Sequence, residues 1–176
     1  MPCPFCQKEH DFTVEEALAR LDGGPAEVRA ALAGAGDAEL NWSQPGRWSP
    51  RQIAFHLLDC ELIYGTRFRK ILAEEDAVLP AFDQNLWSEA CTAGRDLANA
   101  LDAFERLRRD NVAMLRAAAA APAEKTSAGS VLDRAGRHPQ YGVLTLRDHI
   151  LHLSPHDRNH AAQIRREREK YGASNS

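Results

Sequence analysis

The chain has 176 residues, 44% of them hydrophobic and 27% charged, with a formal net charge of −3. That length fits one globular domain with its own core, and the local mixing of Arg with Asp and Glu leaves no basic patch of the kind a phosphate backbone requires, so nucleic acid is excluded as a partner. No apolar run approaches the roughly 18 to 20 residues that span a bilayer, and the opening MPCPFCQKEH lacks a charged start followed by an apolar core, so a cytoplasmic protein with no membrane partner is expected.

Cys3-Pro-Phe-Cys6 is a CxxC with His10 four residues beyond it. A structural zinc site needs two such knuckles, and Pro4 beside the chain end does not provide the helix N-terminus that activates a redox thiol. Residues 1–12 are therefore read as a tail without chemistry. With Cys60 and Cys91 the cysteines are too irregularly spaced for a disulfide framework, and reduced thiols are expected.

Thr13 with Glu16 forms a capping box, and Val14, Ala17, Leu18 and Leu21 follow at helical spacing. Asp22-Gly23-Gly24-Pro25 interrupts the stripe, which Val28, Ala31 and Leu32 resume, so one kinked helix or two stacked ones are expected to about Ala35. Residues 36–46 read as a loop with Trp42 and Trp48 folded onto a core or a pocket mouth. Ser49-Pro50 then starts a long helix, in which Ile53, His56, Leu57, Cys60, Ile63, Tyr64, Arg67, Phe68 and Ile71 repeat at three and four to about Glu75. Residues 76–89 form a connection long enough to cross a bundle end or cover a site. A further helix runs from about Thr92 to Ala121, with Asp102, Glu105, Arg106, Arg108, Arg109 and Asp110 on its solvated face. Residues 123–143 are rich in Gly, Ser and Pro, and no strand is expected there or elsewhere. Thr145 caps a final helix to about 170, kinked at Pro155, and residues 171–176 read as a disordered tail. The domain thus occupies 13–170.

That last helix carries His149, His152, His156 and His160 at steps of three, four and four, which places them on roughly one face. His156 and His160, at i and i+4, have the spacing that points two imidazoles at one ion. A charged helix rich in histidine also describes a solvated face, and a lone histidine such as His56 in an apolar stripe is more often a satisfied core residue than a ligand. In a helical bundle, however, His56 faces the pair from another helix and completes three protein ligands with an open position, the pattern of catalytic zinc. Imidazole suits zinc, nickel, copper and iron alike, so the ligands do not choose the metal. Asp59 and Cys60 share the side of the helix that carries His56, and His152 lies one turn before His156. Asp59 and His152 are accordingly the candidate base or outer partner. His149, a turn further, reads as an ordinary helix histidine.

The string Gly46-Arg47-Trp48-Ser49-Pro50-Arg51-Gln52-Ile53-Ala54-Phe55-His56-Leu57 with Asp59 and Glu61, then His138-Pro139 with Gly142 and Leu144-Thr145-Leu146, then His156-Asp157 with His160 and Gln163-Ile164, resembles the DinB-like (YfiT-like) superfamily of metalloenzymes. The likeness covers nearly everything from Thr13 to Glu169 and excludes the CxxC. It implies an all-α four-helix bundle binding a divalent ion, nickel or zinc in most descriptions, through one histidine of the second helix and an H-x3-H pair of the last. Those positions are His56, His156 and His160. It also implies a homodimer, and members that transfer a low-molecular-weight thiol, beside others without a known activity. Three functions follow from such a site: a metal-dependent thiol S-transferase first, a metal-dependent hydrolase second, and a non-catalytic stress-associated bundle that keeps a metal for stability or sensing third. A substrate would enter at the bundle end near Trp42, Trp48, Trp87 and residues 123–143.

Overall fold

The computed structural model describes residues 11–122 and 129–175; Cys3, Cys6 and His10 lie outside them. The fold is the expected four-helix bundle. Helix α1 spans Val14–Leu32, α2 Asp37–Asn41, α3 Pro50–Ala73, α4 Gln84–Ala90 and α5 Leu97–Ala119; β1 (Ala135–His138) and β2 (Gly142–Thr145) then form a hairpin, followed by α6 (Leu146–Leu153) and α7 (His156–Ser174). The bundle neighbours are α3 with α5, α5 with α1, α1 with α7 and, closing the circle, α3 with α7.

The helix starts are written in the sequence. Thr13 and Glu16, Ser49 and Gln52, and Thr145 and Asp148 each form a reciprocal capping box, which satisfies two of the amide groups that a helix N-terminus leaves unbonded. Asp83 and Asp96 cap α4 and α5 with single side chains.

Helix α1 is one helix, uninterrupted by Gly23-Gly24-Pro25. Pro25 has no N–H for the carbonyl of Leu21, an omission that ordinarily weakens a helix interior. Arg108 Nη1 donates to that carbonyl instead, at 2.8 Å. Arg108 is therefore not on the solvated face where the charge pattern of its helix put it: it is 2% exposed. Its guanidinium holds the carboxylates of Glu61 and Asp157 as well, and Asn111 donates to Glu61 at 2.7 Å. This buried polar layer divides the apolar interior into two clusters. One gathers Leu18, Leu21, Tyr64, Phe68, Leu115 and Ile150, and the other Val28, Ile53, Leu57, Leu101, Phe104 and Ile164.

Arg108 is not the one correction: residues 36–46 and 76–89, read as a loop and a connection, contain the short helix α2 and nearly all of α4, and three further expectations are corrected. Residues 135–145, read as loop, form an antiparallel hairpin in which Ala135 pairs with Thr145 and His138 with Gly142. Each strand is only four residues long and carries no alternating apolar pattern, so the pairing comes from the turn and from docking. Gly142 adopts a φ of 73° at the end of that turn. Arg137 exchanges backbone hydrogen bonds with the 76–89 connection, Arg137 N to Ala77 O and Leu79 N to Arg137 O. Second, Pro155 breaks the last helix into α6 and α7 rather than only bending it. Third, α7 does not stop at 170 but runs on through Tyr171 to Ser174, and Tyr171 packs edge-on to Trp42 at 6.0 Å between ring centroids. No helix among the described residues is long and apolar enough to cross a membrane.

Candidate metal centre

His56 lies two turns into α3 and is 4% exposed. His156 is the first residue of α7 and His160 follows one turn later, so the helix break at Pro155 sets the direction from which the pair enters the bundle. The three rings converge: His56 stands 5.4 Å from His156 and 5.0 Å from His160 between centroids, and His156 stands 4.4 Å from His160. Nε2 of His160 is 3.2 Å from Nε2 of His156. Trp48, 4.7 Å from His56, packs against the cluster.

Burial, reinforced by the neighbouring His156 and His160, lowers the pKa of His56 to about 2. Burial and His156 lower that of His160 to about 4. Both imidazoles are neutral at physiological pH, the state in which a ring nitrogen offers a lone pair to a cation. Nδ1 of His156 is buried without a hydrogen-bond partner, and at 3.8 Å the Asp157 carboxylate beside it is beyond bonding distance. Neutral, converging and partly unsatisfied nitrogens fit a divalent cation.

Cys60 belongs to the same cluster. Its Sγ lies 3.4 Å from Nε2 of His56, and His56, Cys60 and His156 offer ligand atoms that all lie within 4.8 Å of one another. The sequence pattern placed Cys60 near the site and left it out of the ligand set. Burial, then the charges of Asp157, Asp59 and Glu61, push its thiol pKa upward, so in the absence of a cation it is a protonated thiol.

The two residues expected to act as base or outer partner part company. His152 lines a cavity of about 540 Å³ together with Cys60 and His156, and its ring stacks at 6.4 Å on Tyr64. Asp59 is buried, but its carboxylate is 3.1 Å from Arg95, whose guanidinium covers the Phe55 ring, and it is not on the cavity wall. The residue that flanks the histidines as an outer carboxylate is Asp157, 2% exposed and held by Arg108. Despite burial, which acts in the opposite direction, Arg108 lowers its pKa to about 2. Its signal in the sequence was its place directly after His156, with a glycine at position 24 to make room. A Cβ at Gly24 would sit 2.0 Å from the Asp157 carboxylate. His149, read as an ordinary helix histidine, is fully buried, with Nδ1 2.8 Å from the carbonyl of Thr145. Of the expected mouth residues, Trp87 packs on Phe82, which lines the cavity, and the hairpin contributes His138 and Tyr141 to its wall.

The chain is similar to proteins already described. A family model of the DinB superfamily matches residues 20–164. A protein of Oceanobacillus iheyensis named "Putative metal-dependent hydrolase" is 22% identical over 155 residues, which cover 88% of this chain and 85% of that protein. YfiT of Bacillus subtilis, which carries the same description, is 31% identical over 70 residues, 39% of each chain. The solved structure of Bacillus subtilis YfiT, described as a probable metal-dependent hydrolase with an unusual four-helix bundle topology, matches with a TM-score of 0.79 over 94% of this chain and 93% of that one, at 23% identity. At that identity the structural likeness is one of fold. The family model spans most of the bundle, from within α1 to α7, and includes all three histidines: the chain belongs to the DinB superfamily.

Proposed function

We propose that this protein is a metal-dependent enzyme in which His56, His156 and His160 hold a divalent cation, zinc or nickel, and that it transfers a low-molecular-weight thiol to a small electrophile. The observation that carries the reading is the convergence of the His56, His156 and His160 rings beside a cavity of about 540 Å³ that His156 lines, roomy enough for both reactants. Bound there, the cation would lower the proton affinity of whichever nucleophile reaches it, so that a thiolate is populated at neutral pH.

The protein's own groups then divide the work. Asp157, fixed by Arg108, stands 3.8 Å from Nδ1 of His156, too far to hydrogen-bond it, and places a fixed negative charge beside the ring. His152 is the cavity group able to accept the proton that the thiol gives up. Sulfur then attacks carbon, one C–S bond forms, and the electrophile's leaving group departs with its electron pair. What favours thiol over water is the scarcity of carboxylate bases: Asp83 is the acid on the cavity wall, and its Oδ1 is occupied in capping α4. A thiol ionises more readily than water and needs less help from a base.

A second reading, hydrolysis at the same site, is favoured by the names of the relatives. One experiment separates the two. Metal content is measured by inductively coupled plasma mass spectrometry for the wild type, His56→Ala and His160→Ala. The metal-loaded wild type is then assayed on a chloro-substituted electrophile with and without 2-mercaptoethanol, and on a nitrophenyl ester without thiol. Near-stoichiometric metal that is lost in both variants, with thiol-dependent release of chloride, is the expected outcome. Turnover of the ester without thiol moves the conclusion to hydrolysis, and a His160→Ala protein that keeps one equivalent of tightly held metal overturns the site.

A further inference from the structure

The protein contains two deeply buried arginines, and it treats them differently. Arg108, 2% exposed, is matched by two carboxylates. Arg67, 4% exposed, has none: among the described residues no carboxylate lies within 4.0 Å of its guanidinium. Its Nε and Nη2 donate to the carbonyl of Pro80 at 2.9 and 2.7 Å, its Nη2 stands 3.0 Å from Nε2 of His138, and its plane covers the ring of Tyr64 at 4.9 Å. These are neutral groups. A buried guanidinium remains charged, and taking that charge out of water is costly unless an anion accompanies it.

The contact with His138 adds to the deficit. Nδ1 of His138 also faces the backbone N–H groups of Gln140 and Tyr141, at 3.2 and 3.3 Å. A neutral imidazole accepts at one nitrogen and donates at the other. Whichever nitrogen carries the proton, one side of the ring is left donor against donor. Burial and then Arg67 lower the pKa of His138, so gaining a second proton is no remedy.

The location says what would supply the missing charge. Arg67 and His138 line the same cavity as Cys60, His152 and His156. Along α3 the residues His56, Cys60, Tyr64 and Arg67 follow at steps of four, four and three, one stripe on a single face. At 1.5 Å per residue the stripe separates Arg67 from His56 by about 16 Å along the helix.

We propose that Arg67, with His138 beside it, binds an oxyanion, carboxylate or phosphate, carried by the small molecule that occupies this cavity, so that the molecule lies along α3 with its charged end at Arg67 and its reacting end at the histidines. The proposal takes the cavity as the substrate cavity of the preceding section, but the anion site is a separate feature and is tested separately.

The test is isothermal titration calorimetry of the metal-loaded protein with succinate, with inorganic phosphate and with uncharged succinamide, at constant ionic strength. Saturable binding of at least one anion, no binding of succinamide, and a loss of tenfold or more in Arg67→Gln are expected. The tighter anion identifies the group as carboxylate or phosphate. Equal affinity in Arg67→Gln, or no saturable binding of either anion to the wild type, overturns the proposal. The titrations are repeated after chelation, because an anion held by the metal instead would lose its affinity there while remaining indifferent to Arg67→Gln, which also overturns it. Should Arg67→Gln fail to fold by circular dichroism, phenylglyoxal modification of Arg67 in the wild type, mapped by mass spectrometry, replaces it: protection by the anion and not by succinamide supports the site, and equal rates with both refute it. A protein that binds the anion through Arg67 but turns over neither thiol nor ester retains this site and loses the proposed function; turnover without Arg67-dependent binding does the reverse.

Discussion

A histidine buried in an apolar bundle is an acid-sensitive element even when it binds nothing. His149 is fully buried, and desolvation lowers its pKa to about 4, opposed by its hydrogen bond to Thr145. The ordinary histidine value of 6.5 describes the unfolded chain, which therefore binds the proton more readily than the folded one. The stability that the neutral ring contributes is complete above about pH 6.5 and is lost as the pH falls toward 4. For a shift of this size the loss is on the order of 2 kcal/mol at pH 4.5. Urea unfolding at pH 7 and pH 4.5 measures it. The drop in unfolding free energy between the two is expected to be smaller by about that amount in His149→Gln than in the wild type. An identical drop in both proteins would mean that His149 is already protonated in the folded state or that it is less buried than its packing against Tyr64 and Phe68 implies.

Helix α1 shows how far one element can be shaped by what it packs against. Gly23 and Gly24 are adjacent, yet they face opposite environments. A Cβ at Gly23 meets nothing within 4 Å, whereas at Gly24 it would meet the carboxylate of Asp157 at 2.0 Å. Gly23→Ala is expected to raise stability by about 1 kcal/mol, the ordinary gain of replacing glycine in a helix. Gly24→Ala is expected to lower it by about 3 kcal/mol, because Asp157 must leave Arg108 or α1 must leave α7. The second variant should also retain less metal, since Asp157 stands directly behind His156. Thermal denaturation and metal analysis of the pair check both parts, and equal behaviour of the two variants would contradict the packing.

The same contrast explains what the sequence made legible. Capping boxes at Thr13, Ser49 and Thr145, and the apolar repeat of α3, are local signals, and they placed the helix starts to the residue. The i, i+4 pair His156 and His160 with a lone histidine on an apolar stripe was visible for the same reason. Arg108, Glu61 and Asp157 were not, because a charged residue in a helix looks solvated until the partner helices are known to bring its counter-ions. Pro25 looked like an interruption because its missing hydrogen bond is replaced by a side chain 83 residues away, Arg108. The hairpin of 135–145 escaped because its pairing depends on the docked 76–89 connection and not on an alternating pattern of its own. Asp59 shares the helix side of His56, as spacing required, yet Arg95 captures its carboxylate, and nothing in the local sequence announces that pair.

At the scale of the whole molecule, the candidate metal ligands tie together two elements, α3 and α7, that share a smaller surface with each other than with their other bundle neighbours. His56 is on α3 and the other two histidines are on α7, and α3 meets α7 over a smaller surface than it meets α5. The polar layer fixes α1, α3, α5 and α7 to one another through Arg108, but it sits beside the histidines and leaves their rings to face one another. A cation bound at the three rings would therefore close the α3–α7 seam, and it binds only the folded state, because the unfolded chain holds the ligands about a hundred residues apart. Its contribution to stability grows as RT ln(1 + [M]/Kd), about 4 kcal/mol at a free metal concentration a thousandfold above the dissociation constant. Removing the metal with a chelator should then lower the midpoint of thermal unfolding by several degrees for a chain of this length, and adding zinc or nickel back should restore it. The effect should vanish in His56→Ala, whose unfolding midpoint would be the same with and without chelator. Amide hydrogen exchange locates the change: protection lost on chelation is expected at the first turns of α7 and around His56 in α3, and not in α5, which bears no ligand. A uniform loss across all helices would instead indicate that the metal stabilises the bundle as a single cooperative unit, whereas protection unchanged by the metal would remove the seam as the place where it acts.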